Sequence, residues 1–370
     1  MTPLAARTGA GPLLAVRMLL GLAEGVAFPA THSIISRCVP APLQSRAVAC
    51  VTAASYAGAA FAFAVAPPLI DRYGWPAAFD VFGGAAPPTE RKPDSNPDLE
   101  HPTGAALLWL PLWLRIRVES TAVAPPASSP PLSSPLSQPL SPPSSPPSSL
   151  LASFGALLPL LGRREVHALC ATQYFSSFGL YALISWLPSY FHDVFGTELS
   201  DLPALTVGPY ILQALVGVAA GAAADAALAR GVPKGSVRKT AQLGGSLLPA
   251  ACLVAATSPA VTHGSAACAS VLLAAGLGCS ALCLAGVSAN HLDIAPRHAG
   301  AVFGAGNTAA TFAGLVAVPA TGLVLDASRD ASGAGNWSLV FCIIAAHCCL
   351  SGLIFIAFAG EMPLPEDDRD

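Results

Sequence analysis

Val16-Arg17-Met18-Leu19-Leu20-Gly21-Leu22-Ala23-Glu24-Gly25-Val26-Ala27-Phe28-Pro29 places two opposite charges inside an apolar run that extends over residues 12–35. Such a run exceeds the roughly 20 residues that cross about 30 Å of hydrocarbon. An ionisable side chain inside a span costs several kcal/mol unless it is paired or faces water. Arg17 and Glu24 stand seven residues apart, two turns along one helix face. They can therefore face an aqueous cavity, where the Arg attracts an anion and the Glu takes up a proton or competes for the Arg. The other reading is an ion pair holding two helices in register. Gly21 and Gly25 form a small-xxx-small face beside them, suited to close helix contact.

Outward from this run the same pattern repeats. Further apolar stretches cover 46–70, a broken pair at 75–84 and 104–117, then 166–191, 202–229, 239–258, 266–290, 299–325 and 337–360, which makes nine expected spans. Composition agrees. Of 370 residues, 53% are apolar and 11% charged, against roughly 25% charged in a soluble domain. Mean hydropathy is +0.59. A soluble globular protein and a disordered chain are excluded. A net charge of −3 leaves no basic footprint for nucleic acid. The fold class is all-α integral membrane.

Loop charge tests the count. Arg37, Arg46, Arg115, Arg117, Arg163, Arg164, Arg230, Lys234, Arg238, Lys239, Arg297 and Arg369 fall on one side, and Arg7, Arg72 and Arg329 on the other. The rich side is the cytoplasmic equivalent. Residues 121–150 hold ten Pro and ten Ser with no charge, a low-complexity tether on that side. Residues 85–103 carry Glu90, Arg91, Lys92, Asp94, Asp98 and Glu100. These must sit in water, so the segment reads as a polar insertion within one helix, either a gene-level artefact or a genuine loop. The expected organisation is a truncated N-terminal bundle over 1–118, a linker over 119–164, a six-helix bundle over 165–360 and an acidic tail over 361–370. The ten Cys show no zinc spacing and pack as small hydrophobes. No metal or cofactor is expected, and no enzymatic arrangement is seen.

Arg-x-x-x-Gly-x-x-Glu-Gly-x-x-x-Pro resembles the fourth helix of the anion:cation symporter family of the major facilitator superfamily. That family includes plant plastid anion/phosphate transporters, vesicular glutamate transporters and sialin. The resemblance continues through Gly74-Trp75-Pro76, Trp186-Leu187-Pro188-Ser189-Tyr190-Phe191 and Gly221…Asp225…Val237-Arg238-Lys239. Asn290-His291-Leu292-Asp293-Ile294-Ala295-Pro296-Arg297 is its most specific block, closest to the plant and algal branch. The family has two halves of six helices, and this chain supplies those resembling the fourth to the twelfth. Where vesicular glutamate members carry an Arg, Ser176 stands, which leaves the anion site resting on Arg17.

The resemblance implies secondary active transport of inorganic phosphate or a small organic anion by alternating access, coupled to protons or another cation such as sodium. Arg17 is the expected anion-binding residue and Glu24 the coupling residue. Tyr56, Gln173, Tyr174 and Asn307 are further polar residues inside spans, and join the expected substrate pathway. Asp225 stands near the basic loop and either pairs with Arg238 or caps a helix end. Asp225, Arg238, Lys239, His291 and Asp293 form the expected gate, with topology-setting charge as the plainer reading. The expected surroundings are the lipid bilayer, in a plastid membrane, with the protein a monomer. The alternative is a non-transporting truncated membrane protein that acts as an interaction partner, or the product of an incomplete gene model.

Overall fold

The computed structural model describes residues 2–83, 157–198, 201–329 and 335–368. The polar insertion at 85–103, the Pro/Ser tether and the second half-span at 104–117 lie outside the described residues. Thirteen α-helices, a further helical stretch at 157–161 and no strand occur among the described residues. In chain order they are α1 (Thr2–Thr8), α2 (Ala10–Glu24), α3 (Ala27–Cys38), α4 (Gln44–Tyr73), α5 (Trp75–Phe82), α6 (Arg164–Phe195) and α7 (Leu202–Ala229). Then come α8 (Lys234–Ala256), the one-turn α9 (Pro259–Thr262), α10 (Ala266–Ser280), α11 (Val287–Ile294), α12 (Ala299–Ala327) and α13 (Trp337–Phe358).

Among the described residues six segments are long and apolar enough to cross a membrane: Ala10–Cys38, Ala41–Tyr73, Ala204–Ala229, Ala266–Ile294, Ala299–Ala327 and Trp337–Phe358. Helices α6 and α8, of 32 and 23 residues, match two further expected spans. Both begin on the basic side, α6 with Arg164 and Glu165 and α8 with Lys234, Arg238 and Lys239. These charges dilute their apolarity, at one end of α8 and, with Asp193, at both ends of α6. The ninth expected span is represented by its first half, α5.

Two spans are broken, each for a local reason. Pro29 lacks the N–H that would bond the Gly25 carbonyl, and the first span divides there into α2 and α3. The span 266–294 divides at a tight turn, Ala281–Leu284, followed by Gly286. The N–H of Val287, freed by that break, donates to Gln242 Oε1 at 3.1 Å. A Cβ on Gly286 would stand 2.8–3.0 Å from Gln242, so glycine permits this approach. Irregular backbone at membrane depth is tolerated where protein groups satisfy it.

The main core lies in the C-terminal bundle. Phe178, Tyr190, Phe191, Leu273, Trp337, Phe341 and Ile344 are buried together between α6, α10 and α13. Trp337 Nε1 donates to Asp193 Oδ2 at 3.2 Å and pins the start of α13 to the end of α6. His347, on α13, stacks on Phe178 at 3.8 Å and is a core histidine. The N-terminal helices meet this bundle along two lines, α4 against α7 and α3 against α12.

Candidate functional site

The two lines of contact are closest at the basic end. A Cβ on Gly221 of α7 would stand 2.6 Å from Ala49 Cβ and 2.8 Å from the Ser45 carbonyl oxygen of α4. A Cβ on Gly300 of α12 would stand 2.6 Å from the Pro29 carbonyl oxygen of α3. Both seams therefore bring backbone against backbone, and glycine is the residue that allows it.

Charge crosses the same seams. Arg238, 4% exposed, donates from Nε to Asp293 Oδ2 at 2.6 Å and from Nη2 to Oδ1 at 3.4 Å. Its Nη1 reaches across to Ser45 Oγ of α4 at 2.8 Å and to the Ala285 carbonyl at 3.1 Å. Lys234 adds a second cation to Asp293 at 3.3 Å. Asp225, buried at the end of α7, accepts the Arg46 backbone N–H at 2.9 Å. Of the two readings open for Asp225, the structure has the cap: it holds the first turn of α4, a carboxylate at a helix N-terminus. Arg238 takes Asp293 as its acid instead. Lys239 bonds Glu361 of the tail at 2.8 Å. Two of these bonds, Arg238–Ser45 and Arg46–Asp225, join the two sequence halves, and Asp293 with Lys234 braces Arg238.

A cavity of about 160 Å³ lies deeper, at the break between α10 and α11. Tyr56 of α4, Gln173 and Ser176 of α6, Gln213 of α7, Ser246 of α8 and Ser280 of α10 line it, with no charged residue among the lining. The volume is well above the roughly 10–15 Å³ that admits one water. Gln213 Nε2 donates to Ser280 Oγ at 3.1 Å, while its Oε1 has no partner.

Arg17 and Glu24 stand apart from this cavity. Both are exposed on α2. The Arg17 guanidinium lies over the Phe79 ring, 5.3 Å from its centre, a cation–π contact. No ion pair joins Arg17 to Glu24 among the described residues.

The sequence profile of the Major Facilitator Superfamily matches residues 2–318. The chain belongs to the Major Facilitator Superfamily. Curated relatives include a chloroplastic sodium-dependent phosphate transport protein 1 of Arabidopsis thaliana, 32% identical over 97% of this chain and 63% of the relative. A chloroplastic ascorbate transporter of the same plant is 31% identical over 97% of this chain and 59% of the relative. Vesicular glutamate transporter 2 of Bos taurus is 28% identical over 100% of this chain and 59% of the relative. The chain thus spans about three-fifths of the length of these relatives. With its apolar helices, this superfamily member is an integral membrane protein.

In this member of the superfamily the expected pathway residues separate. Tyr56 and Gln173 share the cavity. Tyr174 turns instead towards the core, with its ring 5.3 Å from Phe175 and 6.3 Å from Phe312. Asn307 is half-buried on α12 and does not line the cavity. Of the expected gate residues, Arg238 and Asp293 bond directly, Asp225 acts on α4, and Lys239 reaches the tail. His291 is fully buried one turn from the break.

Several polar residues were not anticipated. Gln242 bonds Ser246 and Ser351, and Ser351 in turn meets Ser176 at 2.6 Å and the Thr172 carbonyl at 3.1 Å. Ser45 receives Arg238. His32 lies buried against Phe303. Their common signal was a single polar residue in an apolar helix, too frequent in this chain to single them out.

Proposed function

We propose that this chain carries transmembrane movement of inorganic phosphate or a small organic anion by alternating access, coupled to protons or another cation. The observation that carries the reading is the closed basic end. There Arg238, Asp293, Asp225 and the Ser45–Arg46 turn hold two helical units together through a few bonds that can break and reform as a set. A bistable contact between two bundles is what rocking around a midplane site requires. The substrates named for the relatives, phosphate, ascorbate and glutamate, are all anions at neutral pH. Arg17, exposed and without an acidic partner among the described residues, is the anion-binding residue, and Glu24 is the coupling carboxylate. Tyr56 and Gln173, which line the cavity, border the pathway. Asp225, Arg238, Lys239, His291 and Asp293 form the gate. A plastid membrane is the proposed location, after the chloroplastic relatives.

The test is uptake of radiolabelled phosphate into liposomes containing the purified chain, under an imposed proton or sodium gradient. Saturable, gradient-dependent uptake that Arg17→Ala abolishes is the expected result. Uptake unchanged in Arg17→Ala removes Arg17 from the site.

A further inference from the structure

The cavity at the broken span has two chemically different ends. Helices α6 and α8 both start at the basic end. Helix α10 runs back towards it, because α11 follows and brings Asp293 to Arg238. On α6 the lining has Ser176 and, seven residues on, Leu183. On α8 it has Ser246 and, again seven on, Leu253. On α10, read in reverse, it has Ser280 and then Leu273. Seven residues are two turns along one helix face, about 10 Å. Three helices therefore change from hydroxyl to isobutyl along the same axis. Ser176 and Ser246 belong to one network, through Ser351 and Gln242. Leu183, Leu253 and Leu273 belong to one buried cluster. The serines thus form the end nearer the basic face and the leucines the end away from it.

Gln213 of α7 joins the polar end. It is 1% exposed, and its Nε2 donates to Ser280 Oγ at 3.1 Å. Its Oε1 is a buried acceptor without a donor. Such acceptors are uncommon and costly. A ligand carrying one O–H or N–H supplies what is missing.

Charge and size narrow the ligand further. No charged residue lines the cavity. An anion entering it would leave water with no cation to meet it, which is costly. Phosphate and carboxylates are therefore poor occupants. The volume is about 160 Å³, and an apolar protein cavity of about 150 Å³ accepts one benzene ring. A mainly apolar wall with a few placed polar groups is the ordinary make-up of a small-molecule site.

We propose that this cavity binds a small neutral amphiphile. One ring or branched alkyl group lies against Leu183, Leu253 and Leu273, and one hydroxyl or amide head donates to Gln213 Oε1. The site is distinct from the anion site proposed on α2 and does not depend on the transporter reading.

The experiment uses the cysteines already in the wall. Cys252, Cys283 and Cys348 line the cavity, while Cys268 and Cys342 are exposed outside it and serve as controls. The whole chain in nanodiscs is labelled with N-ethylmaleimide at neutral pH, and each cysteine is followed by peptide mass spectrometry. The probes are two pairs of matched shape: phenol with toluene, and benzamide with benzoate. All are compared at equal measured concentration in the bilayer. Phenol and benzamide are expected to slow labelling of the three cavity thiols and not of the controls. Toluene should need about fivefold more, the worth of one hydrogen bond, and benzoate should protect none. Gln213→Leu is expected to erase the difference between phenol and toluene and to keep the protection by toluene, a pattern that misfolding does not produce. Ser177→Phe, which places a ring in the lining, should remove protection by every probe. Dialysis of radiolabelled phenol against loaded and unloaded nanodiscs should show one saturable site per chain. Absence of that site overturns the proposal. So does benzoate protecting as well as benzamide, toluene protecting as well as phenol, or a preference for phenol that survives in Gln213→Leu. If Gln213→Leu fails to fold, phenol protection that persists in Ser177→Phe overturns it. The wild-type comparisons stand whether or not either variant folds.

Discussion

The helix α2 and the helix α8 are both long, both helical throughout and both polar in places, yet they sit in opposite environments. Helix α2 buries none of its residues inside the protein, and Arg17 and Glu24 on it are open. Helix α8 buries ten, including Arg238, Gln242 and Ser246, each with bonded partners. The difference separates two uses of polarity in a membrane helix. On α8 polar groups are consumed in holding helices together. On α2 Arg17 and Glu24 have no ion-pair partner among the described residues, and the proposed anion site lies there. The prediction is a division of labour: substitutions on α8 and its partners act on stability, and substitutions on α2 act on transport.

The largest stability effect is expected at Arg238→Met. It leaves the buried Asp293 with Lys234 alone, and removing one partner of a buried pair costs about 3–5 kcal/mol. Reversible unfolding in mixed micelles measures it, and a loss below about 1 kcal/mol would dissolve the contrast. Gly221→Val comes next. Its side chain would meet Ala49 and the Ser45 backbone, and overpacking of this kind costs about 1–3 kcal/mol. The same unfolding assay should show it, with faster exchange at 44–49 than at 337–358. Gln242→Leu removes the acceptor of the Val287 N–H and two serine contacts, at about 1–3 kcal/mol for a buried group left unpaired. Exchange at 287–290 should rise first. The smallest stability effect is expected at Arg17→Ala, within about 0.5 kcal/mol, together with the loss of phosphate uptake. A destabilisation comparable with that of Arg238→Met would mean that α2 is used as α8 is.

Much of the fold was legible in the residues. The expected spans 202–229, 299–325 and 337–360 lie within two residues of α7, α12 and α13. The break at Ala281–Gly286 was not anticipated, because its residues are as apolar as their neighbours and nothing in their order interrupts the run. It depends on Gln242, forty-five positions away in sequence from Val287. The expected gate was legible as a group of charges but not in its pairing. Asp225 and Asp293 are both carboxylates near the same basic loop, and only the packing of α4 against α7 decides that Asp225 caps α4 and Arg238 takes Asp293.

His32 and Ser45 were passed over for the same reason. Each is one small or ordinary polar residue whose importance comes from what stands opposite it.

Transfer free energy acts residue by residue. The order of apolar and basic residues therefore determined, without further information, that the chain crosses a membrane many times, roughly where each span begins and ends, and which face carries positive charge. Pairing is a different quantity. The partner of Arg238, the cavity at the broken span and the exposure of Arg17 depend on distances between residues far apart in the chain. The seams at Gly221 and Gly300 set those distances, and only the tertiary structure decided them.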